Sequence, residues 1–100
     1  MAAFRLSLCA EADLLSIGTH TLRAWGEAQT VRYLDELEFC CQKLADNSVL
    51  GRACHHIRPG LYRNEVGRHI IFFRREPAGI LVSRILHARM LPERHSFNDE

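Results

Sequence analysis

Lysine is nearly missing from this 100-residue chain: it occurs once, at Lys43, so 12 of the 13 basic side chains are arginine. A net charge of one sign is missing too, because 13 Lys plus Arg against 12 Asp plus Glu leave a formal charge of +1. That balance speaks against a protein that lives on nucleic acid, which needs a strongly basic surface to meet phosphates. No run approaches the ~18 apolar residues of a membrane span, and no charged, apolar and small-residue signal segment opens the chain. The expectation is therefore a cytoplasmic protein with no membrane partner. One hundred residues suit a single domain that buries roughly 60 to 65% of its unfolded surface, enough for one core with little margin.

Paired cysteine spacing is also absent. Cys9, Cys40, Cys41 and Cys54 are four thiols, but without a secretion signal they sit among reductants, which excludes a disulfide framework. Cys40-Cys41 and Cys54-His55-His56 offer sulfur and imidazole in quantity. They lack the two-residue spacing that lets a ligand pair grip one zinc ion, and adjacent helical cysteines point about 100° apart. No metal and no cofactor are expected.

What is present is a clear change of period along the chain. Phe4, Leu6 and Leu8 alternate with Arg5 and Ser7, which predicts a half-buried strand. From Ala10 to Trp25 the spacing becomes helical through Leu14, Ile17, Thr21 or Leu22, and Trp25. Gly26 ends that helix, because it tolerates left-handed backbone angles, and Glu27 and Gln29 open a second. Val31, Leu34, Leu37, Cys41 and Leu44 form one stripe of this second helix, so the two helices make an antiparallel hairpin. The pattern breaks at Asp46-Asn47-Ser48 and Gly51, and a polar loop is expected up to Pro59-Gly60.

Three strand-like runs follow, Leu61 to Val66, Arg68 to Arg75 and Gly79 to His87, separated by short turns around Gly67 and Glu76-Pro77-Ala78-Gly79. The predicted class is α+β: an N-terminal strand, an antiparallel helical hairpin and a three-strand antiparallel meander, with the helices on one face of the sheet. Residues 1–100 form one domain in this reading, and 88–100 its C-terminal tail. Alternation places Ile70 and Phe72 opposite Ile71 and Phe73, and Ile80, Val82 and Leu86 opposite Leu81 and Ile85. Both sheet faces are thus apolar, and helices can cover only one. The other would exceed the few hundred Å² of apolar patch that a monomer normally exposes. Either the tail from Ala88 onward or a bound polypeptide has to cover it.

The cations are unevenly placed. Arg58, Arg63, Arg68, Arg74, Arg75, Arg84, Arg89 and Arg94 all follow residue 57. Guanidinium binds carboxylate and phosphate in a bidentate fork, so this half suits a partner with acidic groups. For any one of these arginines the plainer role is a solvated, ion-paired surface residue.

The stretch from Gly60 to Met90, with Arg-Ile-Leu-His at 84–87, resembles the signature of the ParE toxins of bacterial toxin-antitoxin modules. The resemblance runs upstream through Ala12-Asp13-Leu14-Leu15-Ser16-Ile17, Trp25-Gly26-Glu27, Tyr33-Leu34-Asp35-Glu36-Leu37, Leu50-Gly51-Arg52 and Ile57-Arg58-Pro59-Gly60, covering about residues 4 to 95. It implies a non-enzymatic poison that binds DNA gyrase and traps it with broken DNA, held inactive by a ParD-like antitoxin. DNA would be contacted only through that antitoxin.

The same resemblance directs attention to Arg58, Arg63, Arg84, His87, Arg89 and Met90 for toxicity, with Arg94 and His95 as second choices. Leu14, Ile17, Leu37, Cys41, Ile71 and Phe73 are the expected antitoxin contacts. The tail after Leu86-His87 is expected to be poorly anchored and free to engage a target. The alternative is a RelE-type ribosome-dependent messenger-RNA endonuclease, the related branch of the same fold. RNA cleavage needs a base, an acid and cations on one surface, and Arg63, His69, Arg84 and His87 supply candidates. Against it, Ala88 stands where that branch carries a terminal Tyr, and the segment before the second strand has no lysine.

Overall fold

The computed structural model describes residues 2–47 and 49–97. Ser48, in the expected helix break, and the acidic terminus Asn98-Asp99-Glu100 lie outside the described residues. The chain runs β1 (Ala3–Leu6), α1 (Leu8–Trp25), α2 (Glu27–Asp46), β2 (Arg52–Ala53), β3 (Leu61–Val66), β4 (His69–Glu76), β5 (Gly79–His87), then a 3-10 turn at Pro92–Arg94. This is the α+β arrangement expected from periodicity, but the sheet has five strands in the order β1-β5-β4-β3-β2.

The two additional neighbours are set by the tertiary fold. β1 lies parallel to β5, with Ala3 opposite Gly79 and Leu6 opposite Val82, so the first strand forms an edge of the sheet beside the last. β2 pairs Arg52 with Arg63 and Ala53 with Tyr62 inside the expected polar loop. Two residues carry no periodicity to read.

β1 is shorter than its alternation predicts because Ser7 is taken as the helix cap. Its Oγ accepts the Ala10 N–H at 3.0 Å and donates to the Ser83 carbonyl at 2.7 Å. A serine cap of this kind contributes about 1 kcal/mol. Leu8, expected as the last inward strand residue, is instead the first residue of α1 and is 68% exposed. At the other end Gly26 has φ 86°, the left-handed angle that lets the chain reverse between α1 and α2.

The core between the helices and the sheet contains Ala10, Ile17, Leu37, Cys41, Leu44, Ile71, Phe73, Ile80, Val82 and Ile85. α1 presents Ile17 and Thr21 inward, while Leu22 and Trp25, expected on its inner stripe, are exposed, as is Val31 on α2. α1 carries apolar residues all round, so spacing alone does not select the face that docks.

The second sheet face is closed by the chain itself. Ile70, Phe72 and Leu86 pack with Leu61, Cys54, Phe97 and Ile57. Phe97 is 3% exposed and meets the Phe72 ring edge-on at 5.3 Å between centroids. Burial of such a ring is worth about 1.5 to 3 kcal/mol. Of the two expected covers, tail or bound polypeptide, the tail and the loop around Cys54 fill this role. The tail is also hydrogen-bonded, contrary to the expectation of a loosely held segment: Ala88 N–H donates to the Arg68 carbonyl at 2.8 Å, and the Arg84 Nη1 to the Ser96 carbonyl at 2.9 Å.

Leu86 reaches that face through a β-bulge. Phe72 pairs with Arg84 and Phe73 with Val82, leaving Ser83 as the extra residue. One inserted residue inverts the alternation beyond it. Ile80 and Val82 therefore share the helix side with Ile85, and Leu86 lies on the other face, which corrects the unbroken alternation read from sequence.

Candidate functional site

β1 ends at Leu6, so the far half of β5, paired with β4 on one side, has no strand on the other. α1 fills the gap with a carboxylate. Asp13 accepts the Ile85 backbone N–H at 2.9 Å and both arms of the Arg84 guanidinium, Nε and Nη2, each at 2.8 Å. The pair is mostly buried, with side chains 14% and 12% exposed, and the carboxylate beside Arg84 raises the guanidinium pKa further. Since the third guanidinium nitrogen holds Ser96, Arg84 ties α1, β5 and the tail into one node. Arg84, expected at a target surface, is thus consumed by internal contacts.

Beyond this node a cleft of about 690 Å³ opens between the helical hairpin and the end of the sheet. α1 contributes Ser16, Ile17, His20, Thr21 and Trp25; α2 contributes Gln29, Tyr33 and Glu36. Gly67 and Arg68 of the β3–β4 turn, His69 at the start of β4, His87 at the end of β5, and Met90 complete it. Gly67 is needed twice: its φ is 55°, and a Cβ there would lie 2.8 Å from the Tyr33 ring.

Tyr33 organises the polar end. Its hydroxyl accepts the Arg68 N–H at 3.3 Å and lies 2.6 Å from His69 Nδ1. The hydroxyl also donates to the Val66 carbonyl at 3.3 Å, and its contact with Nδ1 is made with the proton on either atom. In His87 the backbone sets the tautomer: Nδ1 accepts the Arg89 N–H at 3.1 Å, which leaves the ring proton on Nε2 in the neutral form. The two imidazoles face each other across the β4–β5 pair, edge to face, with centroids 5.3 Å apart. Burial, followed by the charges of His87 and His20, holds the His69 pKa below the usual histidine range. Burial also raises that of Tyr33.

The residues expected for toxicity fall into three places. His87 and Met90 line the cleft, and Arg89 is exposed between them. Arg58 and Arg63 lie toward the β2 edge; Arg63 reaches Glu65 at 3.5 Å and sits over Phe72 at 6.0 Å, on the tail side of the sheet. Arg94 is exposed in the 3-10 turn and His95 partly covered beside it. Arg63 and His69 are thus on opposite sheet faces and do not converge as a catalytic pair.

Of the residues expected to touch an antitoxin, Ile17, Leu37, Cys41, Ile71 and Phe73 are buried between helices and sheet, and only Leu14 is partly exposed. They build the core and present no surface, because the stripe that packs against the sheet is the one that periodicity detects. Burial pushes the Cys41 thiol up to about 12, as suits a packing residue. Cys54 lies under the other sheet face, remote from the α2 cysteines, and among the described residues no group of three His, Cys, Asp or Glu could hold a metal ion.

Sequence reasoning missed Trp25, Tyr33 and His20 as site residues. The available signal was Trp25 itself, a large aromatic next to the Gly26 turn, where packing is hardest to complete. The exposed line of α1 was legible too: Leu8, Leu15 and Leu22 recur every seven residues, so they lie nearly along one edge of the helix. Leu15 is 74% exposed, and Trp25, one turn beyond Leu22 and 63% exposed, carries this apolar line to the cleft.

Comparison with known proteins places this geometry in context. Residues 4–92 match the model of the family described as the ParE toxin of the type II toxin-antitoxin system parDE. The chain is 39% identical over 93 residues to Toxin ParE1 of Mycobacterium tuberculosis (strain ATCC 25618 / H37Rv), covering 92% of this chain and 95% of that one. Toxin ParE1 of Caulobacter vibrioides is 33% identical over 97 residues, with 95% and 98% covered, and Toxin ParE of Escherichia coli 38% over 93, with 90% and 88%. Among solved structures, a chain of a chromosomal ParDE TA system from P. aeruginosa superposes with a TM-score of 0.72 at 20% identity, over 87% of this chain and 96% of that chain, which shows a shared fold. The chain belongs to the ParE toxin family of type II toxin-antitoxin systems.

Proposed function

We propose that this chain is a gyrase poison held inactive by a ParD-like antitoxin that packs on the outer face of the helical hairpin. One observation carries the antitoxin surface: Leu8, Leu15, Leu22 and Trp25 form an exposed apolar line on a helix whose opposite side is already docked. An amphipathic partner segment covers such a line through side chains spaced three and four apart. This replaces the buried residues expected from sequence; a partner bound there needs no opening of the core. Membership of the family supports gyrase as the target, and a non-enzymatic action agrees with the separation of Arg63 from His69 by the sheet. Arg58, Arg63, His87, Arg89 and Met90 remain the surface proposed for the target, with Arg94 and His95 beside them. Arg84 acts behind that surface by seating the tail.

The test uses purified chain with and without the product of the neighbouring gene. Inhibited gyrase supercoiling, intact messenger RNA on translating ribosomes, and relief by the neighbouring product are expected. Cuts within ribosome-bound codons, mapped by primer extension, would establish the RelE-type nuclease reading instead. A Leu15→Asp and Leu22→Asp double variant should keep the growth arrest and lose rescue by the antitoxin, because each charge on a buried contact costs several kcal/mol.

A further inference from the structure

The hydrogen-bonding state of the two cleft histidines gives the cleft a chemical preference. With its Nδ1 accepting the Arg89 N–H, His87 keeps Nε2–H as its remaining donor in the neutral form, and His69, held at Nδ1 by the Tyr33 hydroxyl, borders the same cleft. Arg68 borders the same cleft and its guanidinium has no ion-pair partner among the described residues. The charged and titratable groups around His69 and His87 are His20 and Asp13 on α1, Tyr33 and Glu36 on α2, and Arg68 in the β3–β4 turn, while Arg89 meets His87 through its backbone N–H. Asp13 is neutralised by Arg84. That leaves Glu36 as the single carboxylate against three imidazoles and a guanidinium.

The apolar part of the lining is Ile17, Trp25 and the stem of Met90, beside the neutral polar Ser16, Thr21 and Gln29. A volume of about 690 Å³ accommodates a large side chain together with an adjoining polar group.

We propose that this cleft receives an acidic anchor of the bound polypeptide, a carboxylate held by His69, His87 and Arg68 with a neighbouring aromatic or long aliphatic side chain lodged against Trp25 and Met90. The identity of that polypeptide as the antitoxin rests on the function proposed above; the carboxylate preference rests on the cleft alone. Binding is proton-linked. A carboxylate beside the imidazoles favours their charged form, so the complex takes up protons and tightens as pH falls through the histidine range.

Two measurements test this. In the first, histidine side-chain nitrogen resonances of the free chain are followed during titration with a capped Phe-Glu dipeptide and its Phe-Gln counterpart. Saturable shifts at His69 and His87 with Phe-Glu alone support the proposal. Equal shifts with both peptides, or stronger shifts with a short single-stranded RNA oligonucleotide, overturn it.

In the second, calorimetry with the neighbouring gene product compares the wild type, Arg68→Glu and His87→Gln at about pH 6 and about pH 8. The wild type should bind about three- to tenfold tighter at the lower pH. Arg68→Glu, at an exposed turn position that leaves folding intact, should weaken binding by about tenfold or more. His87→Gln keeps a donor but cannot charge, so the ratio of affinities between the two pH values should shrink relative to the wild type. Binding indifferent to pH and to Arg68→Glu overturns the acidic anchor and leaves the antitoxin reading standing. Absence of any binding, with the Phe-Glu shifts present, removes the antitoxin reading and leaves the cleft's preference intact.

Discussion

Arg84 and His87 are three residues apart on one strand, yet their surroundings are opposite in kind. At Arg84 each polar group is matched: three guanidinium nitrogens meet Asp13 and Ser96, and Asp13 also takes the Ile85 N–H. At His87 the matching stops halfway. One ring nitrogen is satisfied from within the chain, and the other borders an open cleft. A charge buried among internal partners holds a fold together. A polar group that is oriented by one internal bond and left with a free donor is prepared for something from outside. Both residues belong to the stretch that resembles the toxin signature, so motif membership alone does not separate the two roles.

The contrast can be broken most severely at the matched end. Arg84→Ala should destabilise the fold by about 3 kcal/mol or more, because it strands the Asp13 carboxylate and releases Ser96. Denaturant unfolding measures this, and a loss under about 1 kcal/mol would show that the node is solvated and dispensable. Phe97→Ala ranks next, at about 2 to 3 kcal/mol, below the usual cost of emptying a core aromatic site because a terminal segment can relax into the space. Exchange of the Phe72 amide with solvent deuterium should then quicken relative to Phe73, whose side chain lies on the helix side.

The smallest effect belongs to the cleft and depends on pH. The folded pKa of His69 is depressed, so above the unfolded histidine range neither state is protonated and the group costs nothing. As pH falls through about 6.5, the unfolded chain takes up the proton first and stability drops. His69→Gln should flatten that acid limb without altering stability near pH 8, whereas Arg84→Ala should lower stability to a similar extent across the same range. An unchanged acid limb in His69→Gln would assign it to another group.

These tests also mark how far the sequence could be read. The hairpin and the three consecutive strands were legible because each is long enough to show its period, 3.6 along α2 and 2 along β4. Strand β2 was not, having only Arg52 and Ala53. The bulge at Ser83 leaves no composition mark, since it arises from how β4 and β5 settle against each other. The tail did carry a mark, an isolated Phe97 among polar neighbours, at a position beyond the residues that match the family model. Among the cleft residues His87 and Met90 were legible through the ending after Ile85-Leu86, while Tyr33 looked like an ordinary member of an amphipathic helix.

By itself the sequence determined the class of fold, the order of its elements, the reversal at Gly26 and the family to which the chain belongs. Each of these is encoded locally, in periodicity, in a backbone angle that glycine tolerates, or in a run of matched residues. Only the tertiary structure decided which side of α1 is docked and which line of leucines is left bare. It also decided that Arg84 is spent internally, and that Tyr33, His69 and His87, separated in sequence by 36 and 18 residues, share one cleft. Such decisions depend on which surfaces exclude water together, and no single segment contains that information.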